Sequence, residues 1–296
     1  MTACWRRGVP WNPDENRLAV RTEDHGLEFL DYEGESADPG YGTGRMTNWD
    51  RGTFEVHKWE DGKVVVTLDG SRVKGQYSLF SMRGSRDWLI HRMDGAADED
   101  RKRVPTGVPP MLATPGSLPE DSDGWVYEPR WNGVRAMLTD DTGRVLLTGA
   151  DRENLSVQFP EIRRIGRAIG QLEVILDGCI VPVDEGGTPR FDRYGIARRL
   201  RIGSDSGARN AAKTAPMVFM AFDLIWMEGR SLAGLPWEVR RRQLDDLRLD
   251  GPGWQTSPLL HADTAYSLGA GVVAKRRDSI YEIGTESTNW IDAANG

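Results

Sequence analysis

Short runs of apolar and β-branched residues recur through the first hundred residues, each closed within a few positions by glycine or charge. Val64-Val65-Val66-Thr67-Leu68 and Gln76-Tyr77-Ser78-Leu79-Phe80 are of this kind, and they predict short strands joined by tight turns. The pattern stops at "DEDRKRVPTGVPP" (98–110), a charge cluster followed by three prolines and a glycine that can continue neither a strand nor a helix. A linker is expected there. Beyond it the periodicity is mixed. "FPEIRRIGRAIGQL" sets Ile162, Ile165, Ile169 and Leu172 at helical spacing, whereas "LEVILDGCIVPV" and "MVFMAFDLIW" are largely apolar and predict buried strands. "LPWEVRRRQLDDL" predicts a helix opened by a proline, with Trp237, Leu244 and Leu247 on its apolar face and Arg240, Arg241 and Arg242 turned to solvent. The expected fold class is α+β: a small N-terminal β-barrel over 1–97, a linker over 98–110 and a second domain over 111–292.

Composition narrows this picture. At 296 residues the chain can bury two cores, and 39% hydrophobic with 28% charged residues is the balance of a soluble globular protein. No signal-like segment and no apolar run long enough to cross a membrane is present, so no membrane partner is expected and the expected location is cytoplasmic. Two cysteines, Cys4 and Cys179, exclude a disulfide framework and a cysteine zinc site. A net charge of -7 argues against wholesale wrapping of nucleic acid while allowing a local basic groove.

The second half carries, in order, "EPRWNGVRA" (128–136), "NLSVQFPEI" (154–162), "LDGCIV" (176–181), "FMAFDLIWMEGRSLAGLPWEVRR" (219–241) and "LGAGVVAKRRDSIYEIG" (268–284). This series resembles the nucleotidyltransferase (adenylation) domain of ATP-dependent DNA ligases, particularly the multidomain bacterial ligase D of end joining. "RLAVRTEDHGLEFLDYEG" (17–34), "YGTGRMTNWDRGTFE" (41–55) and "VKGQYSLFSMRGSRDWLI" (73–90) resemble the 3'-phosphoesterase domain that accompanies that ligase. The resemblance implies ATP as cofactor, and DNA ends or nicked duplex with end-joining proteins as partners.

In such ligases a lysine amine attacks the α-phosphate of ATP. Arg130 occupies the matching position, and a guanidinium neither loses its proton nor offers a free lone pair near neutral pH. After Lys102 the chain has only Lys213 and Lys275. Other positions of the family pattern are also changed: Cys179 stands for a metal-associated carboxylate, Ala270 for an acidic residue, Asn132 for an aspartate, Ala150 for an arginine and Asp292 for a lysine. These losses speak against bound magnesium or manganese. What the resemblance retains is Glu128 for the adenine amine, Arg135 for ribose and phosphate, Phe222 for stacking the base and Lys275 for a phosphate. Read without it, Phe222 is strand core, Glu128 and Arg135 a strand-end ion pair, and Lys275 a solvated side chain.

In the first domain His25, flanked by Arg17 and Glu23, matches one metal-site histidine, while Phe29 replaces a tyrosine. The family's other metal ligands, two histidines and an aspartate, lie upstream of the position of Met1, and the motif series ends before any OB-fold domain. His25 is expected as a remnant metal ligand or an ordinary polar barrel residue. For DNA, the candidate contacts are Arg276, Arg277 and the cluster of Arg198, Arg199 and Arg201. The expected function is that of a ligase-family protein of DNA end joining and repair, catalytically degenerate, with residual nucleotide or partner binding. The alternative is an active ATP-dependent DNA ligase that seals breaks through an enzyme-adenylate.

Overall fold

The structure, a computed structural model, describes residues 2–5, 8–24, 26–35, 45–46, 48–82, 86–98, 100–170, 172–268 and 271–293. His25 and Ala270 lie outside them. The chain divides into two compact units, Met1–Asp100 and Arg101–Gly296.

The first unit is built from β1 (Thr2–Trp5), β2 (Asn16–Thr22), a small pair β3 (Gly34–Glu35) and β4 (Arg45–Met46), then β5 (Gly52–Glu60), β6 (Lys63–Gly70), β7 (Lys74–Ser81) and β8 (Asp87–Arg92). Six of these strands form one antiparallel sheet in the order β1-β2-β8-β7-β6-β5. Alternate positions of β8, Trp88, Ile90 and Arg92, turn inward, as the two-residue repeat of a strand requires. They meet Ala19, Val64, Val66, Tyr77 and Leu79 in a small core. The expected barrel is corrected here to an open sheet. β5 is exposed along its whole length, Phe54 and Trp59 included, so it has no buried face with which to close onto β1.

The second unit holds two sheets. Its strands are β9 (Leu112–Pro115), β10 (Trp125–Pro129), β11 (Val134–Asp141), β12 (Arg144–Gly149), β13 (Glu173–Pro182), β14 (Met217–Met227), β15 (Arg230–Ser231), β16 (Asp250–Gly251), β17 (Trp254–Thr256), β18 (Val272–Arg276) and β19 (Glu286–Ala293). Its helices are α1 (Ile165–Ala168), α2 (Ile196–Leu200), α3 (Asp205–Thr214), α4 (Trp237–Asp246) and α5 (Ala262–Leu268). The larger sheet runs β12-β11-β13-β14-β17-β16, with β15 beside β14; the smaller runs β10-β18-β19-β9, and its β9 pairs β19 in parallel.

β13 and β14 are covered on both faces, which is why they are apolar on successive positions, broken inside only by Asp177 and Asp223. Val174, Leu176, Ile180, Met217, Phe219 and Ala221 face one core, while Ile175, Cys179, Val181, Val218, Met220 and Phe222 face the other. Asp177 pairs with Asp223 and Gly178 with Ala221, so Phe222 is the extra residue of a β-bulge. The helix expected over 162–172 is a 3-10 turn, Ile162–Arg164, leading into α1; Gly170 at φ +73° then turns the chain away. Arg101 pairs with Glu173 at 2.8 Å, and Val104 and Val108 pack on the second core, so this part of the expected linker lies against the unit.

The solvent-facing reading of Arg240 and Arg241 is overturned. Arg240 is wholly buried and grips Asp223 on β14 through two bonds of 2.8 Å; Arg241 is buried too, donating to Asp245 and to the carbonyl of Ser257. Only Arg242 faces solvent. Arg199, expected as a DNA contact, is likewise buried, bonded to Glu161 and to the carbonyls of Gln158 and Ala215. Both corrections have one cause: a guanidinium with a bidentate carboxylate or several carbonyls around it can be taken out of water.

Candidate nucleotide pocket

Between the two sheets of the second unit lies a cavity of about 350 Å³, within the usual range for small-molecule sites. The loop from β10 to β11 forms one wall. There Gly133 is required, because a Cβ on it would come within 2.1 Å of the carbonyl oxygen of Ile180 on β13. Close packing of this loop carries Arg130 and Trp131 to the cavity edge. The chain is further fixed by the Arg130 amide bonding Gly271 and by Arg193 donating to the Gly133 carbonyl at 2.9 Å.

Glu128, Arg130, Arg135, Phe222 and Lys275 all line this one cavity, together with Cys179, Trp290 and Asp292. Their pairings differ from the alternatives the sequence left open. Lys275 is not solvated: its ammonium is 2% exposed and donates to Glu128 Oε1 at 2.9 Å and to the Phe222 carbonyl at 3.4 Å. It lies 4.4 Å from the centre of the Phe222 ring and 4.2 Å from that of Trp290. Burial pulls the Lys275 pKa below its ordinary value, against the opposing pull of Glu128. Arg135 pairs not with Glu128 but with Asp177, through two bonds of 2.7 Å, and its guanidinium sits 4.6 Å from the Phe222 ring centre. Burial works against that charge, but Asp177 outweighs it and holds the Arg135 pKa above the usual value. Phe222 keeps the alternation of Val218 and Met220 on β14, so its ring faces the second core and reaches the cavity, and the bulge shifts the register of the residues that follow it.

Arg130 reaches across the cavity to β19, its Nε donating to Asp292 Oδ1 at 2.7 Å and Oδ2 at 2.9 Å. Cys179 is buried and donates its thiol to the Trp131 carbonyl at 3.6 Å; burial pushes its pKa up to about 11, so it sits in the wall as a neutral group. Asn132 and Ala150 are exposed and do not line the cavity. Among the described residues no group of three or more histidines, cysteines, aspartates or glutamates converges as a metal site.

Several residues given no role from the sequence hold this site together. Tyr281 donates to Asp177 at 2.6 Å, and burial together with Asp177 raises its pKa well above the usual value. Trp290 packs edge-on against both Phe222 and Tyr281, its indole N–H buried with no hydrogen-bond partner. Arg241 brings Nη1 to 3.5 Å from Glu128. Tyr281 and Arg241 lie inside the motifs at 268–284 and 219–241, and Trp290 follows the last of them, but nothing local gives any of the three its role. Of the exposed arginines, Arg276 is engaged with Asp278 at 3.1 Å.

Comparison with known proteins matches each part of the chain to a family. Residues 2–81 match the DNA ligase D 3'-phosphoesterase domain family, and residues 110–258 match the ATP dependent DNA ligase domain family. The chain is 32% identical to the multifunctional non-homologous end joining protein LigD of Mycolicibacterium smegmatis, over 96% of its own length and 37% of that protein's. It is 31% identical to a DNA ligase of Natronomonas pharaonis over 68% of its own length and 38% of the other's. It thus spans well under half the length of these curated relatives. A solved mycobacterial DNA ligase D complexed with ATP and MES superimposes with a TM-score of 0.50 at 27% identity, covering 66% of this chain and 60% of that one. No helix among the described residues is long and apolar enough to cross a membrane.

Proposed function

Because the chain belongs to the ATP-dependent DNA ligase family, on its ligase D line, we propose that it is an end-joining protein whose pocket binds an adenine-type ligand without charging itself with AMP. The observation that carries this reading is the Arg130–Asp292 pair. A ligase needs a deprotonated amine at the first of these positions, and here stands a guanidinium whose Nε is committed to a carboxylate. A ring for a base is at hand: Phe222 lines a cavity of suitable size beside Glu128, backed edge-on by the buried Trp290. The ATP complex of the mycobacterial ligase D supports an adenine nucleotide as the ligand class. With a neutral thiol at Cys179, and with the lining carboxylates Glu128 and Asp292 paired to Lys275 and Arg130, the wall offers little to magnesium or manganese. Weak contact with DNA ends or nicked duplex, recruitment by end-joining proteins and a cytoplasmic location complete the proposal.

A second reading, an active ligase, is favoured by one observation: Lys275 is an amine in the pocket whose pKa is lowered by burial. Incubation with α-labelled ATP and magnesium, followed by denaturation and peptide mapping, separates the two. No acid-labile adduct is expected. A phosphoramidate mapped to Lys275 establishes the second reading instead.

A further inference from the structure

The polar side of the pocket is already neutralised from within. Arg130 is held by Asp292 at 2.7 and 2.9 Å, Arg135 by Asp177 through two bonds of 2.7 Å, and Lys275 by Glu128 at 2.9 Å. Glu286 adds a further carboxylate to the lining. A triphosphate that enters meets cations whose charge is cancelled one bond away. A phosphate that accepts from the terminal nitrogens of Arg130 still lies beside the Asp292 carboxylate held on Nε, which repels its own negative oxygens. Both the desolvation of a polyanion without surplus positive charge and the juxtaposition of like charges cost affinity. A base with its sugar carries neither cost, and the Phe222 ring in the cavity wall serves it equally with or without phosphates.

We infer that this pocket selects an uncharged nucleoside, adenosine, over the corresponding 5'-triphosphate, and that Asp292 sets the preference. The inference rests on the adenine-type reading of the pocket and narrows its ligand class. Asp292 is singled out because Asp177 and Glu128 are buried and locked to further partners, whereas Asp292 is 23% exposed and, among the described residues, its carboxylate is paired with Arg130.

Calorimetric titration of the full chain with adenosine and with ATP, at low and moderate salt, tests it. The unaltered protein is expected to bind adenosine about threefold or more tighter than ATP, and Asp292→Asn to tighten ATP about tenfold while leaving adenosine within about twofold. The gain for ATP shrinks as salt rises, because the freed Arg130 charge is partly exposed. Tighter binding of ATP than of adenosine by the unaltered protein overturns the inference and leaves the adenine-type reading intact. Binding of neither ligand, or binding of both that Phe222→Ala does not weaken, overturns the reading itself and the inference with it. A folded Asp292→Asn variant with unchanged ATP affinity overturns the role given to Asp292. Should that variant unfold, the adenosine-to-ATP ratio of the unaltered protein decides.

Discussion

Arg240 on α4 and Asp223 on β14 face each other with no exposure to solvent, joined by two hydrogen bonds of 2.8 Å. The same guanidinium also donates to the Ser279 carbonyl at 3.0 Å and to that of Leu235. One ion pair therefore ties the helix, the central strand and the loop after β18. Removing one partner leaves an uncompensated buried charge, so Arg240→Ala is expected to cost about 3–5 kcal/mol. Exchanging both for apolar residues, Arg240→Met with Asp223→Leu, is expected to recover most of that loss. Urea denaturation of the single and double variants checks this, and additive losses in the double variant refute it.

Asp140 predicts the pH dependence of stability. It is fully buried, with one oxygen accepting from the Gly143 amide at 2.7 Å and the other without a partner. Burial pushes its pKa from 3.8 up to about 7, opposed by that amide and aided by Asp141. The folded protein therefore holds a proton that the unfolded chain has released between these two values. The stability tied to this carboxyl is fully present below about pH 4 and is lost as pH rises to about 7, a change on the order of 4 kcal/mol. Asp140→Asn should remove that part of the slope and stabilise the protein most at pH 8. Thermal melts across pH 4 to 8 that leave the two proteins parallel contradict it.

Restoring the lysine alone is not expected to restore a ligase. In Arg130→Lys the new amine faces Asp292, which favours its charged form, and Cys179 still offers no carboxylate to a metal. Self-adenylation of this variant should stay below about a hundredth of that of an active ligase, a deficit of more than ~2.7 kcal/mol. Strong labelling would show that the Arg130 position alone limits the chemistry.

Ligand affinity should depend on stacking. Phe222→Ala is expected to weaken an adenine ligand by about 1–3 kcal/mol, from a starting Kd of roughly 10 μM to 1 mM. Lys275→Met is less clean, since it strands Glu128, and is expected to lower stability before affinity is read. Calorimetry on the phenylalanine variant is the deciding measurement.

With Arg199 buried and Arg276 engaged by Asp278, the candidates left exposed for phosphate contact are Arg198, Arg201 and Arg277. DNA binding should then show a shallow salt slope, at about -0.9 per phosphate neutralised, and be largely gone near ~200 mM salt. Nicked and intact duplexes are expected to bind alike. A clear preference for the nick at the higher salt would favour a retained ligase clamp.

The strands that build the pocket were legible because β13 and β14 bury both faces and so carry nothing but apolar residues for long stretches. Glu128, Arg130, Arg135, Phe222 and Lys275 were legible as a set through the spacing of their motifs, and they meet in one cavity. Their pairings were not. Which carboxylate each cation takes depends on Asp177 and Asp292, brought close by strand register that no local pattern encodes. Arg240, Arg241 and Arg199 were misread for the same reason: helical periodicity assigns arginine to water and cannot see a distant acid waiting in the core. The closure of the first sheet was misread because strand patterns report a buried face, not whether two edges meet.

β9 and β19 lie side by side and run the same way, Leu112 beside Glu286 and Pro115 beside Asp292. Chain entering β9 and chain leaving β19 thus depart from opposite ends of one paired ribbon. Tension applied along the polypeptide pulls these strands past each other lengthwise, loading their hydrogen bonds together instead of peeling them one at a time. The strand that bears this load carries Trp290 and Asp292, so a tug from neighbouring segments passes directly through the wall of the pocket.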